Sequence, residues 1–300
     1  MPRTILIGTR ASALAQAQAR QAMAALSALH PQRSFELRNI TTHGDRVLDR
    51  ALTEIGGKGV FVKEIEDALL AGDIDLAVHS FKDLPTEQPG GLVIGAIMTR
   101  ADPCDVLVSR TGQRLAALAA GARVGTSSLR RSVQLLAVRP DLKPVDIRGN
   151  VDTRLRKLDE GQYDAIVLAA AGLTRLGLAA RATEYFDPRV FLPAPGQGAV
   201  ALELRSADTE TQELVAGLDH VATHTAVSAE RAFLSGLGGG CDLPIGAYAW
   251  PEAGDHLSLR AMNAERDGSH LVYVEASGPA AQADALGRGL ARDVLGSRDG

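Results

Sequence analysis

Short apolar runs alternate along most of the chain with longer segments in which apolar residues recur every three or four positions. Runs of the first kind are typical of buried strands, and segments of the second kind are typical of amphipathic helices. Glycine or proline follows several of the predicted helices, as is common where a helix ends. The predicted elements are a strand at 4–8, a helix at 12–29, a strand at 35–42, a helix at 60–71, strands at 74–78 and 123–125, a helix at 128–138, a strand at 145–147, a helix at 151–160 and a strand at 165–168.

The two halves of this pattern share short sequences, which indicates an internal repeat. Ile7-Gly8-Thr9 resembles Val124-Gly125-Thr126, and Gly72-Asp73-Ile74-Asp75 resembles Gly161-Gln162-Tyr163-Asp164. Strands that alternate with helices form right-handed βαβ units, whose mostly parallel sheets bind ligands at the carboxyl ends of the strands. We therefore expect two α/β lobes with a cleft between them. Residues 1–98 and 199–217 form the first, in which a strand at 199–204 returns to the sheet, and residues 103–194 form the second.

Two further regions depart from the repeat. Residues 43–59 interrupt its first copy with a polar, glycine-containing segment that is unsuited to a core, so this segment is either a mobile lid or a plain surface loop. Beyond about residue 220 the pattern predicts a helix at 225–234, a strand near 245–249, a hairpin formed by 257–262 and 271–275, and a helix at 280–295. We expect residues 220–300 to form a small α+β domain with a three-stranded antiparallel sheet.

The composition narrows the class of protein. Thirty-two Lys and Arg against 36 Asp and Glu give a net charge of −4 over 300 residues, so a chain-wide basic surface for nucleic acid is excluded and any anion site is local. Two cysteines make neither a disulfide framework nor a cysteine-based zinc site. Because the sequence contains no run of eighteen apolar residues and no secretory pattern at Met1, we expect a cytoplasmic protein that does not enter a membrane.

Arginines occur at the starts of helices, where the positive end of the helix dipole disfavours them. Their recurrence in two similar lobes predicts a bound anion, since helix N–H groups, hydroxyls and guanidinium groups all bind carboxylate or phosphate. Alternatively, these arginines face solvent or pair with Asp141, Asp146 and Asp152. The positions concerned are Arg10 before Ser12, Arg130 and Arg131 after Thr126-Ser127-Ser128, and Arg154 after Arg148-Gly149-Asn150.

Two other segments carry candidate chemistry. Lys82 and Asp83 follow a predicted strand, where the carboxylate could stabilise a developing cation, although the segment could also be a solvated turn. Cys241 follows three glycines and is sterically open, which suits a nucleophile or a covalent attachment point as well as an incidental surface thiol. His79 has no second histidine at a ligand spacing, so we expect no metal site.

Taken together, the sequence resembles the porphobilinogen deaminase (hydroxymethylbilane synthase) family over essentially its whole length. The segments that carry this resemblance are Gly8-Thr9-Arg10-Ala11-Ser12-Ala13-Leu14-Ala15, Gly56-Gly57-Lys58-Gly59-Val60-Phe61, Ala77-Val78-His79-Ser80-Phe81-Lys82-Asp83-Leu84-Pro85, Gly125-Thr126-Ser127-Ser128-Leu129-Arg130-Arg131, Arg148-Gly149-Asn150-Val151-Asp152-Thr153-Arg154 and Gly240-Cys241.

The resemblance implies two lobes like those of periplasmic binding proteins, and a third domain whose cysteine holds a dipyrromethane cofactor through a thioether. It also implies a transferase of tetrapyrrole and heme biosynthesis. Such an enzyme joins four porphobilinogen molecules head to tail on the cofactor, releases four ammonia molecules, and frees hydroxymethylbilane by hydrolysis. Porphobilinogen carries an acetate and a propionate, which would be the predicted anions. A monomer is implied as well.

By the same resemblance, Asp83 is the catalytic aspartate, Cys241 is the attachment point, and Lys58 lies on or beside a mobile loop. Cys104 receives no role, and Glu54 stands where some relatives have a basic residue. The side chains implied in binding cofactor and substrate are Arg10, Ser12, Lys82, Thr126, Ser127, Ser128, Arg130, Arg131, Arg148, Gly149, Asn150, Arg154, Arg175 and Gln197.

A different class of function is also compatible with two anion-binding lobes. A solute-binding or sensor protein would use the same strand ends without performing chemistry. Asp83 and the glycine-flanked Cys241 argue for the enzyme, because a binding protein needs neither a catalytic carboxylate nor a tethering thiol.

Overall fold

The computed structural model describes residues 3–42, 62–239 and 243–296. The chain divides into two compact units, which are described separately below. Unit 1 comprises Met1–Ala101 and Ala199–His224, and unit 2 comprises Asp102–Gly198 and Thr225–Gly300. The segment 43–59, predicted to be a lid or a loop, lies outside the described residues. None of the helices in the described ranges has the length and apolar character needed to cross a bilayer.

The strands and helices follow one another along the chain with lengths ordinary for an α/β protein. They are β1 (Ile5–Arg10), α1 (Ala13–Leu29), β2 (Phe35–Ile40), α2 (Lys63–Ala71), β3 (Leu76–Ser80), β4 (Leu92–Ile97), β5 (Asp105–Ser109), β6 (Arg123–Gly125), α3 (Leu129–Val138), β7 (Lys143–Val145), α4 (Val151–Asp159), β8 (Ala165–Ala169), α5 (Ala170–Arg175), β9 (Glu184–Tyr185), β10 (Val200–Arg205), α6 (Thr209–Ala216), α7 (Val221–Gly236), β11 (Ile245–Glu252), β12 (His256–Asn263), β13 (Val272–Pro279) and α8 (Ala283–Gly296).

Unit 1 is built on a five-stranded mixed sheet with the order β2-β1-β3-β10-β4. β1 pairs in parallel with β2 and β3, whereas β10 pairs antiparallel with β3 and β4. Apolar residues of α1, such as Ala19, Ala22 and Leu26, pack on one face of the sheet, and Ile65 and Leu69 of α2 belong to a separate core cluster. The predicted return of the strand near 199–204 to the first sheet is therefore confirmed.

Unit 2 contains a second five-stranded sheet with the equivalent order β7-β6-β8-β5-β9. β6 is parallel to β7 and β8, and β5 is antiparallel to β8 and β9. In each sheet the first strand of the repeat, β1 or β6, is second in order, and the fourth strand, β10 or β5, is antiparallel to both of its neighbours. The mixed α/β class with two similar sheets, predicted from the repeat, is confirmed.

The remainder of unit 2 is the predicted antiparallel sheet, with the order β11-β12-β13. One face of this sheet packs against α7 and α8 around Phe233, which is 0% exposed. The other side meets helix α3 of the five-stranded sheet in unit 2, because Met262 clusters with Val133 and Leu192. The backbone N–H of Ala247 also donates to the carbonyl of Pro193 at 3.0 Å. Within unit 2, therefore, the antiparallel sheet packs on α3 and on the segment around Leu192 and Pro193.

Several of the predicted elements have different bounds in the structure. The strand expected at 145–147 forms at Lys143–Val145, because it pairs in register with Arg123–Gly125. Ile147, with 1% exposure, is buried beyond the strand, so its apolar character marks a core position and not a ladder position. The strand expected at 74–78 forms at Leu76–Ser80, and the helix expected at 225–234 extends over Val221–Gly236.

A close crossing of α7 and α8 requires glycine at position 287. A β-carbon there would collide with the carbonyl oxygen of Ala229 and lie 2.8 Å from the Ala232 β-carbon and the Phe233 nitrogen. We expect Gly287→Ala to lower the free energy of unfolding by about 1–3 kcal/mol through overpacking. The matched control is Gly289→Ala in the same helix, where a β-carbon has space, and it should raise stability by about 0.5–1 kcal/mol. Urea titration measures both, and a Gly287→Ala protein as stable as wild type would contradict the crossing.

Candidate active site

In unit 2, the loop between β6 and α3 is held by its own hydroxyl groups. Ser128 is the N-cap of α3, and its Oγ accepts the backbone N–H of Arg131 at 3.5 Å. Thr126 Oγ1 accepts the N–H of Ser128 at 3.2 Å, and Ser127 Oγ donates to the carbonyl of Ile147 at 2.5 Å. Ser128 begins the helix expected at 128–138, at a position that favours serine. Thr126 and Ser127 stabilise the loop that carries the cap.

The two arginines in the first turn of α3 point into the protein and pair with one buried acid. Arg130 Nη1 lies 2.7 Å from Asp105 Oδ2, and Arg131 Nη2 lies 2.6 Å from Asp105 Oδ1. Arg130 Nη1 also donates to the carbonyl of Leu192 at 2.5 Å, and Arg131 Nη1 donates to that of Val167 at 3.0 Å. These two arginines therefore do not pair with Asp141, Asp146 or Asp152, the alternative considered from the sequence. Asp141 instead pairs with Arg139.

Asp105 is completely buried, at 0% exposure, and starts strand β5. Burial by itself would raise the pKa of Asp105, but the adjacent guanidinium groups of Arg130 and Arg131 outweigh it and hold this pKa below its usual range. The carboxylate is thus charged at any ordinary pH. Sequence reasoning missed Asp105, although an acid at the start of the apolar run Val106-Leu107-Val108 is a signal that an opposite charge is buried with it.

Gln197 and Arg175 lie near the point where the chain leaves unit 2. The Gln197 side chain is fully buried, and its Nε2 donates to Asp105 Oδ1 at 2.9 Å and to the carbonyl of Pro103 at 2.8 Å. Arg175 Nη2 donates to the carbonyl of Gly198 at 2.8 Å. The Nε of Arg175 is buried without a hydrogen-bond partner among the described residues, and burial lowers the pKa of this side chain. Arg175 therefore has a donor available for a bound acceptor.

A second helix start in unit 2 collects further positive charge. Gly149 adopts φ +108°, a conformation that glycine permits, and its carbonyl accepts the Nε of Arg154 at 2.8 Å. Asn150 is the N-cap of α4, yet its side chain makes no capping hydrogen bond within the described part of the chain. Burial, followed by the charges of Arg131 and Arg148, lowers the pKa of Arg154 to about 10. Three guanidinium groups are thus close enough to interact, and such a cluster is stabilised by a bound anion.

In unit 1, the predicted residues stand at the carboxyl ends of two adjacent parallel strands. Arg10 ends β1, and Ser12 caps α1 by accepting the N–H of Ala15 at 3.3 Å. Lys82 and Asp83 lie in a 3-10 turn, Phe81–Asp83, directly after β3. Because β1 and β3 are neighbours and parallel, Arg10 and the turn lie at the same edge of the sheet. The structure therefore brings the unit 1 candidates to one edge.

Gln18 is a second residue that sequence reasoning missed. It lies on the buried face of α1, at 3% exposure, and its Nε2 donates to the Oγ of Ser80 at 2.9 Å. This pair fixes the end of β3 immediately before the turn that carries Asp83. The signal in the sequence is a glutamine among the alanines of an apolar helix face, because a buried amide needs a specific partner.

The imidazole of His79 lies against a buried carboxylate in the interior of unit 1. Its Nε2 lies 3.1 Å from Glu203 Oε2, and both side chains are at most 3% exposed. Burial and the nearby Glu203 raise the pKa of Glu66, which belongs to the same interior. Over the ranges that the structure describes, no group of three or more histidine, cysteine or acidic side chains could hold a metal ion. This cluster lies within the core of unit 1.

Lys58 and Cys241 lie outside the described residues, so their predicted roles stay predictions. Cys104, the other thiol, is half-buried before β5. Burial first, and then hydrogen bonding to Asp102, raises the pKa of Cys104 to about 12. A thiol with this pKa carries almost no thiolate at neutral pH and is a poor nucleophile.

The fold and these groups define a class: an α/β protein with cationic, hydroxyl-capped helix starts suited to an acidic ligand. Comparison with known proteins then identifies the family. Residues 5–213 match "Porphobilinogen deaminase, dipyromethane cofactor binding domain", and residues 224–296 match "Porphobilinogen deaminase, C-terminal domain". The chain belongs to the porphobilinogen deaminase family.

Individual relatives agree with that assignment. A porphobilinogen deaminase of Roseiflexus sp. (strain RS-1) is 54% identical over 98% of this chain and 97% of its own length. One of Syntrophobacter fumaroxidans is 52% identical over 98% of this chain and 95% of its own. A ligand-binding component of an ABC-type import system from Staphylococcus aureus is 14% identical, covers 79% of this chain and 75% of that one, and has a TM-score of 0.41. At that score the structural likeness carries no functional weight.

Family membership settles the class of function. The chain is an enzyme, a transferase of tetrapyrrole biosynthesis that acts on porphobilinogen and uses a dipyrromethane cofactor. The resemblance inferred from the sequence is thus confirmed, and the alternative of a non-catalytic anion-binding protein is not supported.

Proposed function

We propose that the cationic groups of unit 2 hold the acetate and propionate carboxylates of the dipyrromethane and of the growing pyrrole chain. The observation that best supports this role is the cluster of Arg154 with Arg148 and Arg131, in which burial and like charge lower the pKa of Arg154 to about 10. Asp105 already pairs with Arg131, so the ligand carboxylate is proposed for Arg148 and Arg154. The Nε of Arg175 is buried without a hydrogen-bond partner in the ranges that the structure describes, and it fits the same acidic group because it needs an acceptor.

The proposed roles follow from the position of each group. Arg148, Arg154 and Arg175 supply charge-assisted hydrogen bonds to carboxylates, while Ser128 and the N–H groups at the start of α3 add neutral donors. The proposal extends to Arg130, Arg131, Gly149 and Asn150 in the same unit, and to Arg10, Ser12 and Lys82 at the edge of the unit 1 sheet. When bound, the dipyrromethane supplies the free pyrrole carbon on which the product is built. Cys241 is the proposed point of its thioether attachment.

Asp83 is the proposed catalytic residue. Its carboxylate stands in the 3-10 turn after β3, half-buried and next to Lys82. A carboxylate in this place can accept hydrogen bonds from pyrrole N–H groups and stabilise positive charge as the amine of porphobilinogen leaves as ammonia. It can also accept or relay the proton that the attacking pyrrole carbon loses. Gln18 and Ser80 hold the strand end from which this turn projects.

An arginine pair on one helix tests the anion site. Arg154 belongs to the cationic cluster, whereas Arg156, two residues further along α4, is exposed and pairs with Glu160 at 2.8 Å. We expect Arg154→Gln to raise the KM for porphobilinogen, or to lower the fraction of protein that carries cofactor, by roughly ten- to a hundredfold, because a ligand carboxylate loses a charged partner.

The matched control is Arg156→Gln, which removes the same charge from the same helix but from its solvent side. Steady-state kinetics and intact-mass measurement of both purified proteins give the two quantities. Equal effects of the two substitutions would show that only net charge matters, and unchanged values in Arg154→Gln would overturn the proposed role of the cluster.

We further propose that the enzyme works as a monomer in the cytoplasm, without nucleic-acid or membrane partners. The support for this is the family resemblance together with the net charge of −4. Light scattering coupled to size exclusion measures the mass in solution, and a mass of twice the 31.5 kDa of one chain would contradict the monomer.

A further inference from the structure

One carboxylate orients two arginines at the start of α3. Asp105 presents Oδ2 to Arg130 Nη1 at 2.7 Å, and Oδ1 to Arg131 Nη2 and Nε at 2.6 Å and 3.1 Å. The three side chains are between 0% and 8% exposed, so solvent does not screen them. Two adjacent buried guanidinium groups repel each other, and an acid between them is what allows both to stay charged and fixed.

Arg130 and Arg131 differ in how many of their nitrogens donate hydrogen bonds to the protein. Arg131 uses all three of its nitrogens, two on Asp105 and Nη1 on the carbonyl of Val167. Arg130 uses only Nη1, which donates to Asp105 and to the carbonyl of Leu192. Its Nε and Nη2 make no hydrogen bond with any residue in the described ranges. The network thus fixes one edge of the Arg130 guanidinium and keeps the other edge for a different acceptor.

Gln197 is a third hydrogen-bond partner of Asp105. Its Nε2 donates to Asp105 Oδ1 and to the carbonyl of Pro103, and the side chain is 0% exposed. This buried amide therefore fixes the Asp105 carboxylate directly, through a hydrogen bond.

We propose that Asp105 is a positioning residue for carboxylate binding, which it serves by holding Arg130 with Nε and Nη2 available to the ligand. Arg131 contributes charge and anchors the network, and Gln197 acts through Asp105. This inference rests on the proposed role of Arg130 as a ligand-binding residue. The variants below test the ligand-binding role of Arg130 and the positioning role of Asp105 separately.

The test compares three substitutions in enzyme loaded with cofactor, as verified by intact mass. Asp105→Asn keeps the shape of the side chain but removes its charge, so the Arg130 guanidinium loses its orientation. We expect the KM for porphobilinogen to rise about tenfold or more, with kcat changed much less. Arg130→Gln should raise KM at least as much, because it removes the ligand's partner outright.

Glu230→Gln is the control for a purely structural effect. Glu230 is also 0% exposed, and it accepts the N–H groups of Gly196 and Ala249 at 2.7 Å and 2.8 Å. We expect this variant to lose thermal stability as Asp105→Asn does, while its KM stays at the wild-type value. A KM that rises equally in Glu230→Gln and Asp105→Asn would show that general loosening is the cause, and the positioning role would be overturned.

The remaining outcomes are also decisive. If Arg130→Gln raises KM and loaded Asp105→Asn does not, the positioning role fails and the anion site stands. If Arg130→Gln itself leaves KM unchanged, the proposed role of Arg130 fails, and this inference fails with it. Should Asp105→Asn not fold or not acquire cofactor, Gln197→Leu takes its place, since it removes the support of the carboxylate but keeps both ion pairs. A KM raised about threefold or more supports the proposal, and an unchanged KM overturns it.

Discussion

Replacing Asp83 with alanine is expected to stop chain elongation while leaving the covalent cofactor in place. The turn that carries Asp83 lies in unit 1, after β3, and its carboxylate is the proposed group that stabilises the positive charge formed as ammonia departs. Loss of a group that stabilises charge and transfers a proton costs on the order of 10²- to 10⁴-fold in rate. The turnover of porphobilinogen should therefore fall by at least about a hundredfold, while intact mass still shows the dipyrromethane adduct.

The matched control is Asp73→Ala. Asp73 is exposed and lies just before the amino end of β3, the strand whose other end carries the Asp83 turn. The control substitution therefore removes an equal charge at a distance from the proposed chemistry. We expect its turnover to stay close to that of wild type. Near wild-type turnover in Asp83→Ala would refute the catalytic role, and loss of the adduct in that variant would instead assign Asp83 to cofactor assembly.

Replacing Cys241 with serine is expected to abolish the covalent adduct altogether. A serine hydroxyl is hardly ionised at neutral pH, so it does not replace a thiolate as the nucleophile that forms the linkage. Intact-mass spectrometry of the purified variant should give the mass of the unmodified chain, and multiple-turnover synthesis of hydroxymethylbilane should be absent.

Cys104→Ser controls for this experiment, because burial raises the pKa of the Cys104 thiol to about 12 and leaves it unreactive. That variant should carry the adduct in full. An adduct of normal mass in Cys241→Ser, or its loss in Cys104→Ser, would place the attachment elsewhere in the chain.

The sequence predicts the local parts of the site and misses the long-range ones. Ser12 and Ser128 stand at the starts of the helices expected at 12–29 and 128–138, where they are the caps. The left-handed conformation of Gly72, with φ +80°, agrees with the helix end predicted there. These features depend on a few consecutive residues. Asp105, the partner of Arg130 and Arg131, lies 25 and 26 positions before them, on β5. The order of the strands in the sheet brings them together, and local spacing does not reveal that order.

The antiparallel strands of the two five-stranded sheets are the hardest to predict. The pattern does not predict β4, β5 and β9, because they lie outside the strand-helix alternation that reveals the parallel core. β10 was found from the apolar run Ala199 to Leu204, although Glu203 interrupts that run with a charge that only its contact with His79 explains. Buried charges are thus the places where pattern alone gave the least information.

The high pKa of Cys104 has a practical consequence for following the maturation of the enzyme. Of the two cysteines in the chain, this one is nearly all thiol at neutral pH, so an alkylating reagent discriminates against it. If Cys241 bears the cofactor, a freshly synthesised chain offers one rapidly alkylated sulfur and a matured chain offers none. Labelling stoichiometry then counts immature molecules in a mixed population.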